Sequence, residues 1–148
     1  MNYRVLIIDD SDTAALLVQA NLNTTPTWHY ESVRVGSIME ALAELTAARF
    51  DAAVLDLELP DATHLTGLAQ LTLACPWLPI VVVTGSHDLT LAQQAIKRGA
   101  QDYLMKPDDL KGTTLARAIH YAIERTKLRS ALLAKIVALE GRIDNLGE

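Results

Sequence analysis

Short apolar runs alternate along this chain with longer stretches in which apolar residues recur every three or four positions. The first pattern fits strands and the second fits helices with one buried face. "YRVLIID" (3–9) predicts a buried strand, and "SDTAALLVQANLN" (11–23) a helix capped by Ser11 or Asp12. "YESVRVG" (30–36) alternates as a half-buried strand does. In "SIMEALAELTAA" (37–48), Ser37 is followed three residues later by Glu40, the pattern of a capping box. "DAAVLDL" (51–57) predicts a third strand and "LTGLAQLTLA" (65–74) a shorter helix. "PIVVVTG" (79–85) is nearly continuous and β-branched, as expected for a strand covered on both faces. "DLTLAQQAIKRG" (88–99) predicts a helix closed by Gly99, "QDYLMKP" (101–107) a fifth strand, and a long helix follows from about Lys111.

Five strands, each followed by a helix, argue an α/β fold with a doubly wound, five-stranded parallel sheet. The 148 residues suit one domain, and half of them are apolar, enough for a real core. In such a sheet the functional site is expected beyond the carboxyl ends of the strands.

Charge refines this picture. The formal net charge is -5, which argues against nucleic acid as a partner. Residues 1–111 carry 7 Lys+Arg against 14 Asp+Glu, whereas 112–148 carry 6 against 4, so an acidic body bears a slightly basic tail. The single cysteine, Cys75, permits no internal disulfide and is expected to pack as a small apolar residue. No apolar run approaches the roughly 18–20 residues that span a bilayer, and "MNYRVLIIDD" is not a signal peptide, so no membrane contact and a cytoplasmic location are expected.

The residues at the strand ends carry the chemistry. The first strand ends in Asp9-Asp10, the third in Asp56, the fourth in Thr84-Gly85 and the fifth in Lys106-Pro107. Two carboxylates about 4 Å apart repel by roughly 4 kcal/mol at an effective dielectric near 20, so three need a cation among them. All-oxygen ligands in a small acidic pocket suit Mg²⁺. With a hydroxyl and an ammonium beside it, a carboxylate at such a site can act as the nucleophile of phosphoryl transfer.

These motifs together resemble the receiver domain of two-component response regulators. The carriers are "LIIDDSD" (6–12), "AVLDLELPD" (53–61), "VVVTGS" (81–86) and "GAQDYLMKP" (99–107), in the family's order and spacing over about 1–125. The resemblance implies a flavodoxin-like strand order, 2-1-3-4-5, with an extended C-terminal helix. It implies Asp56 as phosphoacceptor, with Mg²⁺ held directly by Asp10 and Asp56, through water by Asp9, and by the Glu58 backbone carbonyl. It further implies that Thr84 and Lys106 bind the phosphoryl group, that Tyr103 is the switch aromatic, and that the peptide before Pro107 is cis. Glu58 and Ser86 stand at positions that tune hydrolysis in that family. The partner implied is a histidine kinase or a histidine phosphotransfer protein, in a bacterial phosphorelay, and no independent enzyme turnover is expected.

One departure from the family pattern stands out. The glycine usual eight residues after the acceptor is replaced by His64 and recurs at Gly67, which reads as a three-residue insertion bordering the pocket. His29, His64, His87 and His120 show no ligand spacing and are expected in surface or loop positions; Trp28 and Trp77 are expected to cap the core. Beyond residue 125, Leu132, Ile136, Leu139, Ile143 and Leu146 follow in 4-3-4-3 spacing, the seam of a coiled coil, interrupted by the helix-weakening Gly141. The expected organisation is therefore a receiver domain at 1–125 and a helical extension at 126–148, with parallel homodimerisation through the extension and an output domain beyond Glu148. Two rivals remain: a docking module that never meets phosphate, and a Mg²⁺-dependent phosphatase with an aspartyl nucleophile. The second expects an aspartate where Glu58 stands.

Overall fold

In the computed structural model, which describes residues 2–146, five parallel strands form one sheet. They are β1 (Asn2–Ile8), β2 (His29–Val35), β3 (Ala52–Leu55), β6 (Ile80–Thr84) and β7 (Asp102–Met105). The order is β2-β1-β3-β6-β7, which is 2-1-3-4-5 when the strands of this sheet alone are counted. Between β3 and β6 a short antiparallel hairpin, β4 (Glu58–Leu59) and β5 (Ala62–Thr63), stands apart from the sheet. The helices are α1 (Asp12–Leu22), α2 (Ile38–Ala47), α3 (Thr66–Ala74), α4 (Leu89–Lys97) and α5 (Thr114–Leu146), with a 3₁₀ turn at Asp108–Leu110.

Local chemistry sets these boundaries. The Ser11 hydroxyl accepts from Ala14 N at 3.2 Å, and Ser37 accepts from Glu40 N at 3.1 Å. Each thereby satisfies an N–H that the first helical turn leaves without a partner. The Glu40 carboxylate reaches back to Gly36 N at 2.8 Å, one residue before the cap. Gly99 closes α4 at φ +108, a left-handed conformation that glycine adopts without a Cβ clash.

Every residue of β3 and β6 is buried, because helices cover both faces of the sheet. On one side Leu6, Phe50, Leu55, Leu68 and Val82 pack with α2 and α3. On the other, Ile7, Val18, Tyr30, Val54, Leu115 and Ile119 pack with α1 and α5. Burying a side chain of the size of Phe50 or Leu115 contributes about 1.5–3 kcal/mol. Cys75 is buried as a free thiol, as expected.

The register brings the strand ends together. β1 pairs with β2 and β3, with Ile8 beside both Val35 and Leu55. The ladder continues one residue further, through Asp9 N to Val35 O at 3.0 Å and Asp56 N to Ile8 O at 2.9 Å. Asp9 and Asp56 thus leave the sheet side by side. Likewise Lys106 N donates to Thr84 O at 2.8 Å, past the last paired residues of β6 and β7.

α5 is one continuous helix of 33 residues, about 50 Å long at 1.5 Å per residue. Leu115, Ala116, Ile119, Ala122 and Ile123 are buried on the sheet, whereas Leu128, Leu132, Ile136, Leu139 and Ile143 are at least half exposed. The side chain of Leu146, together with Met1, Gly147 and Glu148, lies outside the described residues. Among the described residues no helix is long and apolar enough to cross a membrane.

Candidate functional site

Asp9, Asp10 and Asp56 each offer a carboxylate oxygen, and these oxygens lie within 4.8 Å of one another. Asp9 and Asp56 are buried, at 3% and 7% exposure, while Asp10 faces solvent. The Lys106 ammonium donates to Asp9 Oδ2 at 2.9 Å and to Asp56 Oδ2 at 3.5 Å. Ser11 N donates to Asp9 Oδ1 at 3.0 Å, and Glu58 N donates to Asp56 Oδ1 at 3.3 Å.

Burial pushes the Asp56 carboxyl above the ordinary aspartate range; the Lys106 ammonium opposes this and the neighbouring Asp9 carboxylate reinforces it. One ammonium among three carboxylates leaves a net negative pocket. The donors are all oxygen and they converge, so they fit a hard divalent cation.

Thr84 is fully buried at the end of β6, and its hydroxyl is 3.5 Å from the Ser86 N–H, a long contact. Tyr103 on β7 is half-buried against the α2/α3 side of the core, and its hydroxyl donates to Ser86 O at 3.3 Å. The Lys106–Pro107 peptide is cis. The sequence-derived residues Asp9, Asp10, Asp56, Glu58, Thr84, Ser86, Lys106 and Pro107 thus gather at the carboxyl edge of the sheet or in the loops leaving it, and Tyr103, within β7 and paired with Val82, reaches the loop after β6 through its hydroxyl.

A groove of about 680 Å³ opens over Asp56. Asp10, Ser11 and Ala14 line one part of it; Glu58, Pro60, Thr63 and His64 line another. The latter belong to β4 and β5, their turn, or the residue just after β5. Only an insertion had been legible there. The Pro60-Asp61 pair between Leu59 and Ala62 is the one local turn signal. His64 adopts φ +52, the single left-handed non-glycine among the described residues. A Cβ on Gly67 would come within 2.9 Å of Ile38 Cδ1, so a larger residue there would have to displace the Ile38 side chain.

His120 departs from the expected surface or loop position. It sits half-buried on α5 and stacks on Trp28 with ring centroids 4.4 Å apart. A helical spacing that turns position 120 back toward the α1 side puts it there, a placement no ligand pattern signals. His29 lies exposed on β2, and Trp77 is about half exposed.

Comparisons with known proteins agree with this geometry. The family model for the response regulator receiver domain matches residues 5–119. AlgB, the alginate biosynthesis transcriptional regulatory protein of Pseudomonas putida, is 31% identical over 140 residues, covering 95% of this chain and 29% of its own. The transcriptional regulatory protein ZraR of Escherichia coli is 28% identical, covering 80% of this chain and 26% of its own. The chain therefore spans under a third of the length of these relatives. NtrX from Brucella abortus superposes with a TM-score of 0.77 at 26% identity, over 90% of this chain and 29% of that one. The receiver domain of a LuxO repressor protein from Vibrio parahaemolyticus, at 24% identity and TM-score 0.75 over 89% and 98%, shares the fold. On its sequence, its strand order and the family match, this chain belongs to the response regulator receiver domains, which are signalling domains.

Proposed function

We propose that the chain is the phosphoacceptor receiver of a two-component phosphorelay, in which a phosphoryl group passes from a histidine kinase or histidine phosphotransfer protein to Asp56. The convergence of Asp9, Asp10 and Lys106 on a buried Asp56 at one sheet edge carries this reading. Asp10 and Asp56, the Glu58 carbonyl, and Asp9 through water are the groups that would hold Mg²⁺. When bound, the ion neutralises the carboxylates and the charge that accumulates on the phosphoryl oxygens.

The chain's own groups do the rest. The Asp56 oxygen attacks phosphorus as the donor's P–N bond breaks. Lys106, already within reach of Asp56, pairs with a phosphoryl oxygen, and the Thr84 hydroxyl at the end of β6 donates to another. Moving Thr84 changes what surrounds Tyr103 and the Ser86 carbonyl that Tyr103 binds. The state so favoured differs on the α4, β7 and α5 surface, and the population shifts only by the differential affinity of phosphate for the two states. Glu58 and Ser86, beside the acceptor and the threonine, tune hydrolysis. No independent turnover substrate belongs to this scheme.

In this reading residues 1–125 are the receiver and 126–148 a signalling helix that joins two copies in parallel and leads to an output domain past Glu148. The protein acts in the bacterial cytoplasm. The exposed apolar seam of α5 favours a second reading, a dimerisation or docking module that is not phosphorylated in function.

Titration with beryllofluoride and millimolar Mg²⁺, followed by intrinsic fluorescence, separates the two. Saturable binding that Asp56→Asn abolishes is expected. No binding by the unaltered chain would leave the docking module.

A further inference from the structure

Resting on the phosphoacceptor reading, we propose that the β4–β5 hairpin, ending in His64, is a fixed wall that limits the approach of both phosphodonor and water to Asp56. Three observations carry it. The hairpin supplies Glu58, Pro60, Thr63 and His64 to the groove over Asp56, facing Ser11 and Ala14 of the α1 end. It is anchored: Leu59 and Ala62 pair with each other and are buried in the core, and Leu65 follows them inward. The Asp61 carboxylate, at the hairpin turn, accepts from Ile38 N and Met39 N, both at 3.0 Å, tying the turn to the start of α2. A wall so held does not swing aside as an ordinary loop does.

His64 is the part of the wall with the least structural reason to be a histidine. Its φ of +52 suits glycine or asparagine, and its side chain is exposed. It borders the groove on one side. On the other it borders the hollow between α3 and α4 that Thr66, Leu91, Gln94 and Arg98 line. An exposed imidazole carried on a left-handed backbone at the rim of a reaction groove points to use of its bulk there.

The chemistry makes the consequence specific. In phosphorylation an Asp56 oxygen attacks phosphorus and the donor's P–N bond breaks, the bonding pair leaving on a protonated nitrogen as neutral imidazole from a phosphohistidine or as ammonia from phosphoramidate. In hydrolysis a water oxygen attacks, the P–O bond to Asp56 breaks, and the carboxylate, inorganic phosphate and a proton are released. Both steps run in line, so the leaving nitrogen of the first and the attacking water of the second occupy the same mouth of the groove. A wall that narrows this mouth slows both, whereas a proton acceptor there changes hydrolysis alone.

The test uses phosphoramidate with Mg²⁺ as the donor and measures phosphorylation and hydrolysis rates in the full chain, His64→Gly and His64→Asn. Glycine suits the backbone, so His64→Gly is expected to keep its fold, which a thermal melt and beryllofluoride saturation check. Both rates are expected to rise together in His64→Gly, on the order of fivefold. In His64→Asn, which keeps part of the bulk without a basic nitrogen, they rise together by less. Hydrolysis falling alone would overturn the wall in favour of a proton acceptor. Unchanged rates would overturn it in favour of a purely structural turn. Absence of any phosphorylation or beryllofluoride binding in the full chain would instead remove the phosphoacceptor reading beneath it.

Discussion

Asp56 is held where a carboxylate is least comfortable, and that discomfort is measurable as stability. Burial, against the pull of Lys106 and with the help of Asp9, raises its pKa, so the ionised form is less favourable in the folded chain than in the unfolded one. Asp56→Asn is nearly isosteric and leaves Lys106 its 2.9 Å contact with Asp9. In buffer without divalent ions it should therefore stabilise the fold, by about 1 kcal/mol, in urea titrations. The sign with pH follows from the raised pKa. The wild-type deficit is complete above the folded pKa and shrinks as Asp56 takes up its proton, so the two curves should converge as pH falls through the carboxylate range. A variant less stable than wild type at pH 7 would mean that the Lys106 pairing outweighs burial. His64 raises a related question in the backbone. A left-handed L-residue costs about 1–2 kcal/mol, most of which glycine recovers, so His64→Gly should melt higher than wild type even as its rates change.

At the scale of elements, the hairpin and α2 depend on one carboxylate. Asp61 accepts the first two N–H groups of α2, and those bonds lower its pKa despite exposure to water. Asp61→Ala should cost about 1 kcal/mol, the usual worth of a cap, with the charge-dependent part reduced by solvent screening. A lowered folded pKa means that this contribution is present above the unfolded pKa and is lost as pH falls through the folded one. Wild type and Asp61→Ala should thus differ most at neutral pH and least in acid; a gap independent of pH would assign the effect to geometry alone. This cap also marks the limit of what the sequence discloses. The five sheet strands were legible because β3 and β6 are apolar runs buried throughout and β2 alternates as a half-covered edge strand does, and Ser11 and Ser37 announced their helices through local hydrogen bonds. The strand predicted over 51–57 instead stops at Leu55: a single bond, Asp56 N to Ile8 O, extends the ladder past it before the chain turns into the hairpin. β4 and β5 have two residues each, too few for a period, and they exist because Leu59 and Ala62 reach the core and Asp61 reaches a helix 23 positions away. Asp9, Asp56, Thr84 and Lys106 were legible as strand endings; the wall around them was not, since tertiary anchoring alone creates it.

At the scale of the whole molecule, α5 carries a rigid element out of the receiver core into an apolar seam without a break. Ile136 and Ile143 occupy the a positions of its heptads and Leu132 and Leu139 the d positions. β-branched residues at a with leucine at d favour two parallel strands. The flanking charges agree. Lys135 falls at g and Glu140 at the following e, so a parallel, in-register pair sets Lys135 of each copy against Glu140 of the other; an antiparallel pair would set Lys135 against lysine or arginine at the partner's g positions, 135 and 142. Little more than two heptads makes a weak dimer, which should appear as a molar mass that rises with concentration in sedimentation equilibrium. Glu140→Lys turns two attractions into repulsions at up to about 1 kcal/mol each. The dissociation constant should then rise on the order of tenfold, and adding Lys135→Glu should bring it back by restoring opposite charges with the order reversed. Restoration is the decisive arm, because a damaged helix would not recover when a second charge is changed. If the double variant stays as weak as Glu140→Lys, the two copies do not meet parallel and in register, and the receivers cannot sit at the same end of the pair. If it recovers, both copies of Asp56 are fixed to one end of a common helical stem, and any rotation of α5 within the receiver core must be shared with the partner through that seam.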